Sequence, residues 1–211
     1  MLPVTKRYVA ARLVLLDDMA IAYLSLHERR RFMVEKWHVE REEIAYADRW
    51  VRVVRAHVRL PNGRAYIYTT LWRVPGAAVV ALNEKGHVLL VREYRHPLGQ
   101  VIDQLPGGLV DEGETPLVTA QRELREETGL EAREWEWLGE VEDNPGLIAG
   151  TTTLFLARDV HPVAEPAREW TEFLEMRWEA PDVLQARIAR GEIRDRVVLA
   201  AWAFLTARGV L

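Results

Sequence analysis

Cysteine is absent from the 211 residues. That removes disulfides, thiolate zinc sites and cysteine nucleophiles, leaves oxygen and imidazole as the metal donors, and fits a reducing compartment. Long apolar runs are absent too. The longest, Val197 to Leu205, falls far short of the roughly 20 residues a bilayer span needs, and the N-terminus has no basic segment leading into a long apolar stretch. A cytoplasmic address is the default expectation. An excess of positive charge is also missing: 28 Lys and Arg stand against 32 Asp and Glu, for a net charge of −4 and a pI near 5.9. Such a surface has no general attraction for phosphate backbones, so the expected partner is a small molecule, with no nucleic acid and no membrane. Internal repeats and low-complexity tracts are lacking as well. What is present, 49% hydrophobic and 28% charged residues, is the composition of an ordinary folded domain and excludes disorder.

Turn residues and periodicity divide the chain. Residues 7 to 40 are mixed, with an Arg-rich patch at Arg29-Arg30-Arg31 inside a stretch of helical period from Met19 to Trp37. From Trp50 the pattern alternates through Val51, Val53, Ala56 and Val58 to Asn62-Gly63, then resumes with Ala65, Tyr66, Tyr68 and Leu71, a hairpin signal. Val74-Pro75-Gly76 punctuates the chain, and we place a boundary there: a small β-rich domain over 1–74 and a second domain over 75–211. In the second domain a buried strand is expected at Ala77 to Leu82, with others at 88–91, 101–105, 134–142, 152–158 and 172–178. Helices are expected over 116–128, 181–190 and 194–207. This order predicts an α/β layered domain, a mixed β-sheet sandwiched between helices.

The chemistry is concentrated between Gly108 and Leu130. Thr115 is an N-cap, Pro116 fits the first helical position, and Gly129 fits a left-handed C-terminal stop, so 116–128 reads as one short helix. On it Glu123, Glu126 and Glu127 fall within about 100° of one another, while Leu117, Ala120 and Leu124 form the opposing apolar stripe. Like charges at these spacings repel by a few tenths of a kcal/mol per pair. An ordinary solvated acidic face would carry interleaved Lys or Arg, whereas a hard divalent cation turns the repulsion into binding.

The full pattern is Gly108, five residues, Glu114, seven residues, Arg122-Glu123, an aliphatic residue, any residue, Glu126-Glu127, any residue, Gly129 and an aliphatic residue. It resembles the Nudix box at every defined position, and seven fixed residues at about 7% frequency each match by accident on the order of once in a million chains of this size. The chain is most similar to the ADP-ribose pyrophosphatase group. Glu93-Tyr94-Arg95 stands for the group's Gln-x-Arg, Leu105-Pro106-Gly107-Gly108 for its Leu-Pro-Ala-Gly, and Asp143-Asn144-Pro145-Gly146 for its Ser-Pro-Gly loop. Glu93 and Gln104 depart from the group's usual residues on either side of the expected pocket.

The resemblance implies a Nudix fold and a set of roles. Glu123, Glu127 and the carbonyl of Gly107 would hold Mg²⁺, with Mn²⁺ an alternative, and Glu126 would be a further metal ligand or a carboxylate acting through metal-bound water. Glu114 and Arg122 would pair to brace the loop against the helix. The general base would be Glu172 or Glu169, of which Glu172 is preferred. Arg95, Trp50, Tyr46 and Gly146 would contact substrate, with Tyr46 and Trp50 stacking on a nucleobase across a homodimer. The implied reaction is hydrolysis of ADP-ribose to AMP and ribose 5-phosphate. Other nucleotide sugars such as GDP-mannose, or FAD, are alternatives, as is a regulator that senses an ADP-ribose-like ligand without cleaving it. Such sensors lose box glutamates, and none is lost here.

Overall fold

A computed structural model describes residues 34–168, 170–171 and 173–211. All six residues from Gly76 to Ala81 are buried, and a strand buried on both faces belongs at the centre of a layered domain. It is the fourth of ten strands: β1 (His38–Ala47), β2 (Val51–Arg59), β3 (Ala65–Arg73), β4 (Gly76–Ala81), β5 (Val88–Arg95), β6 (Gln100–Gln104), β7 (Gly107–Leu109), β8 (Leu130–Asn144), β9 (Ile148–Pro162) and β10 (Leu174–Glu179). The helices are α1 (Pro116–Thr128), α2 (Pro181–Ala189) and α3 (Arg196–Ala207).

The larger sheet has the order β1-β2-β3-β9-β4-β7, with β8 on the other side of β9. Strand β9 meets β3 at its start, where Leu71 faces Ile148, and then runs parallel to β4 from Thr152 to Ala157. It pairs antiparallel with β8 along its whole length, so the sheet is mixed as expected. A second sheet, β10-β5-β6, is antiparallel.

Alternate residues of β4 feed two apolar layers. Ala77, Val79 and Ala81 pack with Ala120 and Leu124 of α1, and with Phe155. Ala78 and Val80 pack with Leu184 of α2 and with Val198, Ala201 and Leu205 of α3. Each buried Val or Leu contributes about 1.5–3 kcal/mol of hydrophobic stabilisation, and together they set α1 on one face of the sheet with α2 and α3 on the other. The smaller sheet is tied to α2 through charge: Arg187 ion-pairs with Asp103 of β6 and, at 2.7 Å, with Glu179 of β10.

Local signals account for the element ends. Thr115 accepts a hydrogen bond from the Val118 N–H, Pro116 opens α1, and Gly129 closes it at φ 71°. Asp195 caps α3 through the N–H groups of Val197 and Val198. The Asn62-Gly63 turn joins β2 to β3, with Gly63 N–H bonded to the Leu60 carbonyl. Strand β1 was not anticipated, since His38–Ala47 is charged and almost wholly exposed and offers no apolar alternation. Of the helix expected over Met19–Trp37, residues 19–33 lie outside the described residues, as does the Arg29-Arg30-Arg31 patch, and residues 34–37 carry no regular structure.

The chain divides into two compact units. The described part of one is 34–41 with 57–67; the other is 42–56 with 68–211. Within the first, Arg59 pairs with Glu40 at 2.6 Å and Trp37 meets Tyr66 edge-on. Within the second lie both cores and the cleft described next. No helix among the described residues is long and apolar enough to cross a membrane.

Candidate active site

Helix α1 presents its acidic stripe to a cleft of about 580 Å³ in the second unit. Its walls include Glu123, Glu127, Gly107, Gly108, Arg122, Arg95 and Trp50, so α1, β7, β5 and the β1–β2 turn deliver these residues that the sequence singled out. The approach of α1 to the strand β7 depends on glycine. Gly107 sits at φ 156°, where an added Cβ would lie 2.8 Å from Cα of Ala78, and its N–H donates to Oε2 of Glu127 at 3.2 Å. At Gly108 a Cβ would fall 2.6 Å from Cδ of Glu123. Gly108 therefore makes the space that the Glu123 carboxylate fills, while Gly107 allows β7 to approach β4 and offers its N–H to Glu127.

Glu123 and Glu127 are only 8% and 5% exposed, and burying two carboxylates one helical turn apart is costly unless positive charge meets them. Arg122 supplies part of it. Its Nη1 donates to Glu123 at 2.8 Å and to Glu126 at 3.1 Å, while Nε and Nη2 both reach Glu114 at 3.1 Å. The hydrogen bond from Arg122, with a second from the Thr119 hydroxyl at 2.6 Å, holds the Glu114 carboxyl below the usual carboxylate range. The same contacts, Glu114 first, raise the pKa of Arg122 further. This is the expected Glu114–Arg122 pair, extended to Glu126.

Glu126 therefore stands apart from its neighbours: it is partly exposed, faces Arg122 and is not part of the cleft wall. Among the described residues no three Asp, Glu or His side chains converge on one point as they stand. The donor set nonetheless fits a hard cation, since it consists of carboxylate and carbonyl oxygens only. Glu123 and Glu127 would be its fixed part, and Glu126, paired with Arg122 at 3.1 Å, would have to turn its side chain to join them.

Arg95 lines the cleft, but its guanidinium is engaged by Glu93 at 3.0 Å and donates to the side-chain amide oxygen of Gln104. The two residues that depart from the resembled pattern thus meet on one arginine. Trp50 is presented by a turn in which Asp48 accepts from the N–H groups of Trp50 and Val51 at 2.8 Å each. The ring is half exposed and carries the Arg49 guanidinium 4.2 Å from its centroid. Tyr46 points to the same Asp48 at 2.8 Å and is not part of the wall. Gly146 lies in the β8–β9 turn, where its carbonyl accepts from the Tyr68 hydroxyl at 2.6 Å, and it too is outside the wall. Glu169 and Glu172 lie outside the described residues. Just before them, Ala167 N–H and Arg168 Nε donate to the carbonyls of Glu126 and Glu127 at 2.8 and 2.9 Å.

The sequence reading missed the other end of the cleft. Arg73 and Arg196 both line it, with Thr152 between. The residue that joins them, Asp143, entered the sequence reading as the start of the stretch resembling the Ser-Pro-Gly loop, without a role of its own.

Comparison with known proteins gives a consistent result. Residues 72–202 match the NUDIX domain model, and residues 37–71 match the model of a nucleoside diphosphate sugar hydrolase N-terminal domain. The chain is 34% identical over 148 residues to an ADP-ribose pyrophosphatase of Mycobacterium tuberculosis, covering 69% of this chain and 72% of the relative. It is 33% identical over 140 residues to an ADP-ribose pyrophosphatase of Bacillus subtilis, covering 66% and 74%. A crystal structure of an ADP compounds hydrolase superposes with a TM-score of 0.72 at 20% identity over 85% of this chain and 99% of the other, a likeness of fold.

Proposed function

The chain belongs to the Nudix family, and from that premise we propose that it hydrolyses ADP-ribose to AMP and ribose 5-phosphate with Mg²⁺ bound at the acidic face of α1. The carrying observation is the burial of Glu123 and Glu127 side by side beneath Gly107 and Gly108, in a box from which no glutamate is missing. The names of the two pyrophosphatase relatives favour ADP-ribose over other nucleotide sugars and FAD.

Cleavage of a pyrophosphate requires water to attack one phosphorus while the bond to the bridging oxygen breaks and charge builds on the oxygens around it. Glu123, Glu127, the Gly107 carbonyl and Glu126 would hold the metal, which when bound would stabilise that charge and orient the water. Arg122 and Glu114 keep α1 and its leading loop in register, a positioning task. Glu172 is the preferred general base, with Glu169 the alternative. Arg95 donates hydrogen bonds to the bound substrate. Trp50 stacks on the nucleobase, as its half-exposed ring favours.

Residues up to 74 join two copies of the chain, so that Tyr46 of one copy reaches the substrate of the other and Gly146 borders it. The exposed apolar residues Val39, Ile44 and Trp72 support that reading. A cytoplasmic setting suits a nucleotide substrate.

The test is product analysis of the purified protein with ADP-ribose, GDP-mannose and FAD in Mg²⁺, beside a Glu127→Gln control. AMP and ribose 5-phosphate from the wild type alone is the expected result. Tight binding of ADP-ribose without turnover would replace the hydrolase with a sensor.

A further inference from the structure

Three arginines with access to phosphate line the cleft away from Arg122, and their charges are not equally free. Arg95 is matched by Glu93 at 3.0 Å, so that pair brings no net charge. Arg73 and Arg196 share a single counter-charge. Asp143, whose side chain is only 2% exposed, faces Nε of Arg73 at 2.9 Å with Oδ2 and accepts from Arg196 Nη2 with Oδ1. Thr152 completes the arrangement, its hydroxyl donating to Asp143 Oδ1 at 3.1 Å and lying 3.4 Å from Arg196 Nη2. One carboxylate thus directly faces two guanidinium groups, and Nη1 of Arg196 is buried with no hydrogen-bond partner. A donor in that state is costly until an acceptor reaches it.

This cationic group adjoins the carboxylate pair. A Cβ placed on Gly76 would lie 3.1 Å from Arg73 Nη2, 3.3 Å from the Gly108 carbonyl and 3.4 Å from the Thr152 hydroxyl. Gly108 is the residue whose missing side chain makes room for Glu123. Arg73, Gly76, Gly108, Thr152, Arg196 and Glu123 thus line one cleft, with the two glycines keeping the backbone between Arg73 and Glu123 free of side chains.

We propose that Arg73 and Arg196 together form the pyrophosphate clamp of this site, with Asp143 the positioning residue that holds both guanidinium groups toward the cleft. The inference rests on the hydrolase reading for its substrate but not for its binding chemistry. A pyrophosphate diester brings two negative charges. The metal face of α1 takes oxygens of one phosphate, and the arginine pair takes those of the other in charge-assisted, forked hydrogen bonds. Arg95, already matched in charge, contributes less to affinity. The clamp is assembled from three separate stretches, the end of β3, the end of β8 and the first residue of α3.

Calorimetry of the full chain with inorganic pyrophosphate in EDTA isolates this contribution from the metal. The wild type is expected to bind, Arg196→Ala and Arg73→Ala to bind at least about 10-fold more weakly, Arg196→Lys to fall between, and Arg95→Ala to weaken binding less than either of those two alanine variants. With ADP-ribose and Mg²⁺, both alanine variants should raise KM by a similar factor. Asp143→Asn should raise KM with kcat nearly kept, provided its thermal midpoint shows a folded protein. Equal pyrophosphate affinity in the wild type and both alanine variants, or no binding by the wild type, overturns the clamp. Loss of binding in Arg95→Ala with the other two unaffected also overturns it. If arginine-dependent pyrophosphate binding is found but no nucleoside diphosphate is cleaved, the clamp stands and the hydrolase reading falls. If cleavage proceeds with KM unchanged in Arg196→Ala and Arg73→Ala, the reverse holds.

Discussion

Gly108 of β7 and Glu123 of α1 occupy one space: a Cβ on the glycine would stand 2.6 Å from the carboxylate carbon of the glutamate. The helix can lie this close to the strand only because that side chain is missing. Gly108→Ala is therefore expected to push the Glu123 carboxylate off its position. The cost in stability should be roughly 1–3 kcal/mol, the usual range for overpacking, and metal-dependent activity should fall much further than stability does. Thermal unfolding beside a Mg²⁺ titration of activity checks this, and an alanine variant with unaltered metal response would contradict it.

Glu127→Gln keeps shape and the hydrogen bond from Gly107 N–H but removes a charge from the metal face. We expect kcat to drop by at least about 10²-fold, the scale of losing one electrostatic contact to a transition state. The thermal midpoint should hold or rise, because the buried repulsion with Glu123 is relieved. Chelation by EDTA should abolish wild-type turnover, and Mg²⁺ should restore it.

Glu114 gives a pH prediction. Its carboxyl is held below the usual range by Arg122, so it binds a proton less readily in the folded chain than in the unfolded one. The stability it contributes is fully present above the unfolded value of about 4.3 and is lost as pH falls through its lower folded value. Thermal midpoints measured from about pH 6 to pH 3 should fall more steeply for the wild type than for Glu114→Gln. Parallel curves would mean the pair carries no such linkage.

Trp50→Ala should raise KM for ADP-ribose by roughly 10-fold, in line with about 1–3 kcal/mol for stacking one base on an aromatic ring. The affinity for inorganic pyrophosphate, which has no base, should not change. A matching loss for both ligands would show that Trp50 shapes the cleft rather than receives the nucleobase.

What the sequence made legible follows the range of the forces involved. Helix α1 was readable to the residue because Thr115, Pro116 and Gly129 act on their immediate neighbours. The same holds for the Asn62-Gly63 turn. The glutamate pair was readable because helical spacing alone puts residues four apart on one face. Strand β1 was not, since its residues are held by pairing with the sheet and not by an apolar face. The Arg73–Asp143–Arg196 group was not either. Its members lie far apart in the chain, and each taken alone is an ordinary charged residue near a turn or a helix start. The matching of Arg95 by Glu93 has a local origin, two residues apart on β5. Which neighbouring cation Glu93 takes is nevertheless set only by the fold.

The position of β9 carries a consequence for how the molecule is made. Gly76 pairs with Thr152 and Leu71 with Ile148, so the central strand β4 waits for a neighbour that emerges from the ribosome much later. The acidic helix and its glycine loop are synthesised in between and can meet each other early, while the layer they rest on is still incomplete. Pairing across such separations is slow because loop closure precedes any reward. Synthesis of β9 is thus a prerequisite for closing the native sheet, and substitutions in β9 should lower the yield of folded protein before they alter its chemistry.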